Sequence, residues 1–155
     1  MKDEEVVRYE DFNELNSVGI FAGPLLTLYR EVTVDELKEM MASGTRFVLV
    51  DALDSDSFAQ EHIKGALNLP VDFIERDASG VLREDDLIVV YSRAGNCMIS
   101  AVAADKLFNL GYENVARFTD GLEGWAMARL PFEVGLHKGP QSTVEARRAV
   151  AKKAA

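Results

Sequence analysis

The stretch from Val89 to Cys97 holds the residues of this chain whose types and spacing best suit chemistry. An apolar strand is predicted to run into a short loop containing Gly95, and the loop opens a helix at about Cys97. Such a loop gathers backbone N–H groups around one point and adds the positive end of a helix dipole. The pattern therefore predicts a cradle that holds a small anion, or that lowers the pKa of a thiol at its centre. The residue at that centre is Ser92, whose hydroxyl stays protonated near neutral pH unless a base activates it.

The predicted site consists of this loop and one supporting carboxylate. Asp51 follows the short apolar run 47–50, and the carboxyl ends of parallel strands are where open α/β sheets place their sites. Arg93 is interpreted either as a solvated loop residue or as a contact to the anion. The predicted anion-binding loop comprises Ser92, Arg93, Ala94, Gly95, Asn96 and Cys97.

Cys97 is the single cysteine, so no intrachain disulfide forms. One interpretation is a small, partly buried residue at the start of the helix, because cysteine is often buried. The other is a catalytic thiol whose pKa is lowered by the helix N-terminus and by Arg93. The sequence leaves both interpretations open.

Composition narrows the classes of function. There are 17 basic and 26 acidic residues, for a net charge of −9, which argues against a nucleic-acid surface. No His, Cys and Asp cluster has metal-ligand spacing, and no nucleotide-binding glycine motif is present, so we expect no metal and no cofactor. The longest apolar stretch, 18–29, contains Pro24 and is too short for a bilayer core of roughly 30 Å. We therefore expect a cytoplasmic protein without a membrane partner.

The elements that must position the loop follow from apolar patterning. Buried strands are predicted near 47–50, 67–69, 87–91 and 115–118. Helices are predicted after the capping box Thr33–Glu36, over 55–61 and over 98–110. Because strands alternate with helices, the prediction is an α/β fold with a largely parallel central sheet flanked by helices.

Two extensions flank the predicted domain, which covers residues 32–135. Residues 1–31 begin with acidic residues and include the apolar run Val18 to Leu26, which needs a cover. Residues 136–155 end in basic residues, and Ser142 to Glu145 predicts the start of a C-terminal helix. The extensions are therefore expected to pack on the domain and to support a homodimer.

In their order these segments resemble the rhodanese-like family of single-domain sulfurtransferases over about residues 32–135. The resemblance implies the same α/β fold and a loop that carries sulfur. It rests on five stretches, Val48–Asp51, Phe58–Pro70, Tyr91–Asn96, Leu110–Val115 and Gly121–Trp125 with the following Leu130–Pro131.

Departures from the family pattern decide what function the resemblance implies. Members usually have Cys where Ser92 stands and often Arg where Cys97 stands, and an Arg often occupies the position of Leu53. Active members carry a persulfide on the loop cysteine, which a serine hydroxyl cannot form. A related phosphatase would also need an Arg where Met98 stands. Ser92 therefore marks a domain without the usual chemistry, an engineered replacement, or chemistry moved elsewhere.

Three hypotheses follow, and they leave open whether the chain is an enzyme. The first is a rhodanese-like domain without the usual turnover, which binds a small anion, a sulfur species or a protein partner at the loop. The second is a thiosulfate or persulfide sulfurtransferase that uses Cys97. The third is an interaction protein that self-associates through its extensions.

Overall fold

A five-stranded parallel sheet forms the centre of the computed structural model, which describes residues 29–135 of the chain. An antiparallel pair of short strands, β3 (His62–Ile63) and β7 (Phe132–Glu133), lies apart from this sheet. In spatial order the parallel strands are β1 (Arg30–Val32), β6 (Val115–Phe118), β5 (Ile88–Tyr91), β2 (Val48–Asp51) and β4 (Leu67–Asn68). The α/β prediction and its four strands are confirmed, each strand to within one residue at either end.

Helices cover both faces of the sheet. Every residue of β2, β5 and β6 is buried, as expected of central parallel strands whose side chains are covered on both sides. One apolar cluster includes side chains of α3 and α4, and the other includes side chains of α1, α2 and α5. The helices are α1 (Val34–Ala42), α2 (Ser55–Gln60), α3 (Ile74–Val81), α4 (Ile99–Asn109) and α5 (Gly121–Met127).

The capping box predicted at the start of α1 is confirmed. The Thr33 hydroxyl accepts from the backbone N–H of Glu36 at 3.2 Å, and the Glu36 carboxylate accepts from the N–H of Thr33 at 2.9 Å. These two bonds satisfy N–H groups that a helix start otherwise leaves free.

Several elements differ from the sequence predictions. The sheet has an additional edge strand, β1. Two of its residues, Arg30 and Glu31, fall within the predicted N-terminal extension. Only Val32 of β1 is buried, so no apolar run marks this strand in the sequence. Helix α3 was not predicted. The apolar run 18–26 and the predicted C-terminal helix lie outside the described residues.

Between residues 29 and 135, none of the helices has the length and apolar character needed to cross a membrane.

Candidate functional site

The loop 92–97 leaves the carboxyl end of β5, in the middle of the sheet, and runs into α4. Ser92 and Ala94 are buried, whereas Arg93, Gly95 and Asn96 are exposed. The helix begins at Ile99 and not at about Cys97, because a turn closes first: the Cys97 N–H donates to the Ala94 carbonyl at 3.0 Å. Cys97 therefore belongs to the loop, and its own N–H is not among the donors free to face an anion.

The start of α5 holds the loop from one side. The N–H of Leu122 donates to the Ser92 carbonyl at 3.0 Å, and the N–H of Glu123 donates to the Arg93 carbonyl at 2.9 Å. In a trans peptide the N–H points away from the preceding carbonyl. The N–H groups of Arg93 and Ala94 are therefore directed away from α5.

Gly121 allows this close approach. Its φ of +60° is unfavourable for residues with a Cβ, and a Cβ there would overlap the Ser92 carbonyl oxygen and lie 2.9 Å from the Arg93 carbonyl carbon. Glycine at this position thus lets the first turn of α5 pack directly on the loop.

Cys97 is the last residue of the loop, and the pKa of its thiol responds to the groups around it. Burial alone would raise the pKa of this partly exposed thiol. Its pKa is nevertheless lowered, because the Ser92 hydroxyl, the backbone N–H groups of Ile99 and Arg93, and the Arg93 charge all favour the thiolate. The loop therefore stabilises a negatively charged sulfur at position 97.

Ser92, the predicted centre of the loop, is buried, with 1% of the residue exposed. Its Oγ makes no hydrogen bond of ordinary geometry within residues 29–135. Thr119 lies beside the loop at the end of β6, and its Oγ1 is likewise buried without a partner there. Two hydroxyl groups near the loop are thus available for further hydrogen bonds.

Asp51 lies beside Tyr91 in the neighbouring strand and is fully buried. Desolvation raises the pKa of its carboxyl to about 6, against the lowering effects of the Tyr91 hydroxyl, the Leu53 N–H and the Arg93 charge. Its Oδ1 accepts from the Leu53 N–H at 2.9 Å, and its Oδ2 has no partner in the described part of the chain. With Leu53 where the family often has Arg, no cation at that position pairs with the carboxyl.

His62 does not join the loop. Its ring stacks on Phe58 at 3.8 Å, and its Nδ1 lies 2.7 Å from the Phe58 carbonyl oxygen. It lies in β3, where it is paired with Glu133 of β7. Among residues 29–135, no group of three or more His, Cys, Asp or Glu side chains is arranged to hold a metal ion.

Four contributors to this site were not predicted from the sequence. Leu122, Glu123 and Ile99 act through backbone N–H groups, which any residue type provides. Gly121 acts by lacking a Cβ, and it is set apart in the sequence only by being a glycine directly after a strand and turn.

Comparisons with known proteins agree with this fold. The sequence matches the Rhodanese-like domain family over residues 33–128. It is 34% identical to the thiosulfate sulfurtransferase GlpE of Haemophilus influenzae (strain PittEE), over 68% of this chain and 95% of that protein. It is 32% identical to the HTH-type transcriptional regulator Rv0324 of Mycobacterium tuberculosis, over 70% of this chain and 46% of that protein. A crystal structure of a thiosulfate sulfurtransferase from Pseudomonas aeruginosa is 30% identical with a TM-score of 0.63, covering 69% of this chain and 20% of that one.

Proposed function

This chain belongs to the rhodanese-like family, and from that membership we propose that its loop 92–97 binds a small sulfur-containing anion without the usual turnover. One observation carries the proposal: the groups of the loop favour an anionic sulfur, because the Ser92 hydroxyl, the N–H groups of Ile99 and Arg93 and the Arg93 charge lower the pKa of Cys97. Donors that stabilise one anionic sulfur suit the sulfur or oxygen atoms of a bound anion equally. Thiosulfate is the natural probe, because relatives are named thiosulfate sulfurtransferases.

Ser92 is the reason for expecting no turnover by the usual route. A hydroxyl cannot carry sulfane sulfur, and its activation as a nucleophile needs a nearby base. The buried Oγ of Ser92 has no basic partner within residues 29–135. Ser92 therefore contributes to the shape and donor set of the loop and not to a covalent step.

The lowered pKa of Cys97 favours a second candidate, sulfur transfer through this thiol. In that reaction the Cys97 thiolate attacks the outer sulfur of thiosulfate and forms an S–S bond. The S–S bond of thiosulfate breaks, and sulfite leaves with the electron pair. Cyanide then takes the outer sulfur as thiocyanate, which restores the thiolate.

Isothermal titration with thiosulfate tests the binding function on the full chain. We expect saturable binding by the wild type, weakened several-fold by Arg93→Gln because the loop loses its cation. Arg83→Gln is the matched control. Arg83 precedes the amino end of β5, whereas the loop follows its carboxyl end. Absence of binding at millimolar thiosulfate, or equal weakening by both variants, would contradict the proposal.

A thiosulfate-to-cyanide assay separates the two candidates. Binding with negligible thiocyanate production supports the first. Robust production by the wild type that Cys97→Ala abolishes establishes the second in its place. Production that survives Cys97→Ala would contradict both, because this chain has no other thiol.

A further inference from the structure

Tyr29 fixes the place where the N-terminal extension meets the domain. Its ring packs edge-on against Phe108 of α4, with the ring centroids 6.1 Å apart, and its hydroxyl donates to the Asp105 carboxylate at 3.3 Å. Only two residues separate Tyr29 from the apolar run Val18 to Leu26. Since a chain extends by at most about 3.6 Å per residue, the end of that run lies within about 11 Å of Tyr29.

The outer side of α4 carries apolar side chains where a helix facing water ordinarily carries polar ones. Residues four apart share one side of a helix, so Met98 and Val102 lie together, away from the buried Leu107. Met98 is 57% exposed, and Val102 is half-buried. With Asp105 and Phe108 they make a row along the helix, here called the α4 stripe, which ends at the Tyr29 ring.

The length and chemistry of the apolar run match the α4 stripe. The helix rises about 15 Å between Phe108 and Met98, and nine extended residues cover about 30 Å, so the run is long enough to follow the whole stripe. The run contains no charged residue. Asp105 is the one charged member of the stripe, and it already accepts a hydrogen bond from the Tyr29 hydroxyl. Burying the two apolar surfaces against each other removes both from water.

We propose that the α4 stripe is the docking surface for the apolar run Val18 to Leu26 of the same chain. The run follows α4 from Phe108 towards Met98. Because Met98 comes directly after Cys97, the docked run borders the loop 92–97. The inference goes beyond the proposed anion site and holds whether or not the loop binds thiosulfate.

Photo-cross-linking on the full chain tests which segment covers the stripe. The probe is p-benzoylphenylalanine in place of Val102, and peptide mass spectrometry identifies the residues that it attaches to on irradiation. We expect cross-links within one chain to residues 18–26. The matched control carries the same probe in place of Val134, a 73% exposed valine outside α4, and should not favour that run.

Cross-links from position 102 mainly to a second chain would place another copy on the stripe and overturn the inference. Cross-links to a different segment, or none above the level of the Val134 control, would also overturn it. Thiosulfate plays no part in this readout, so failure of the anion site and failure of this docking are told apart.

Chymotrypsin digestion of the full chain gives a second measurement without a bulky probe, read as the rate of cleavage after Phe21. Docking protects this bond, so we expect cleavage several-fold faster in Val102→Asp, which places a charge on the stripe, than in the wild type or in the control Val134→Asp. Leu26→Asp weakens the same contact from the other side and leaves residues 29–135 unchanged, which keeps the test valid if Val102→Asp lowers the urea unfolding midpoint. Cleavage at the wild-type rate in Leu26→Asp and in folded Val102→Asp would contradict the docking.

Discussion

Ser92 and Cys97 lie five positions apart, and both differ from the residues that the family usually places there, which are Cys at the first position and often Arg at the second. A hydroxyl occupies the buried first position of the loop, and a thiol occupies the last, partly exposed position. A hydroxyl cannot replace a thiol as a sulfur carrier, but it can replace it as a hydrogen-bond donor. The pair thus keeps a donor and a sulfur in the loop, with their places exchanged.

Asp51 makes stability depend on pH in a direction that is unusual for a carboxylate. Burial raises its pKa to about 6 in the folded protein from 3.8, so the folded state favours the protonated form. Its contribution to stability is therefore full below about pH 4 and is lost as the pH rises through about 6. At neutral pH the ionised buried carboxylate lowers the free energy of unfolding by about 3 kcal/mol.

We predict that Asp51→Asn raises the free energy of unfolding at neutral pH by about 2–3 kcal/mol and flattens its dependence between about pH 4 and pH 7. Asparagine keeps an oxygen that accepts from the Leu53 N–H, but it carries no charge. Urea unfolding at several pH values measures the effect. Asp56→Asn, which removes an exposed carboxylate on α2, is the control and should leave the pH dependence close to that of the wild type. An unchanged slope in Asp51→Asn would show that this carboxyl does not titrate near pH 6.

At the scale of elements, the contact between α5 and the loop is what gives the site its shape. The N–H groups of Leu122 and Glu123 bind the carbonyls of Ser92 and Arg93, which directs the N–H groups of Arg93 and Ala94 away from α5. Gly121 makes this approach possible at a positive φ. Helix α4 follows the loop, and the Ile99 N–H at its start helps to lower the pKa of Cys97.

Gly121→Ala is predicted to destabilise the protein more than an ordinary glycine substitution. A positive φ alone costs an L residue about 1–2 kcal/mol, and the overlap with the Ser92 carbonyl adds about 1–3 kcal/mol. Displacement of α5 should also slow Cys97 alkylation, because the Arg93 N–H loses its direction. Urea unfolding and iodoacetamide alkylation measure the two effects.

The comparison variant is Gly65→Ala, where φ is +81° and no atom lies within 4 Å of the added Cβ. It should lose only the part of stability that comes from backbone strain and should alkylate at the wild-type rate. Equal effects of the two substitutions would contradict a special role for the contact at Gly121.

At the scale of the whole molecule, the charge distribution and the extensions bear on assembly. The chain has a net charge of −9, with acidic residues near its start and basic residues near its end. The apolar run Val18 to Leu26 is unfavourable in water, so a cover is expected on the domain or on a second copy. Both segments lie outside the described residues, so the homodimer stays a prediction.

Light scattering on the full chain checks this prediction. We expect a mass of two chains at tens of micromolar protein, falling to one chain when residues 1–28 are removed. The charge complementarity of the two ends also predicts a dimer that weakens as salt is added. A full-length monomer at that concentration would contradict the homodimer.

The sequence by itself determined the α/β fold, its four main strands and the place of the loop. These are encoded locally: the apolar runs 87–91 and 115–118 mark buried strands, and Thr33 with Glu36 marks a helix start. The residue types in the loop were also known from the sequence, since they do not depend on folding. The sequence missed β1, because one buried valine in three residues gives no pattern.

Only the tertiary structure decided the backbone partners of the loop, the burial of Asp51 and the role of Gly121. A loop has no fixed period, so the direction of its side chains depends on what its backbone groups bind. Here those partners are N–H groups of Leu122 and Glu123, some thirty positions further along the chain, which approach the loop only because β5 and β6 pair in parallel. The residue types of the loop are therefore given by the local sequence, whereas its geometry is set by contacts with residues far along the chain.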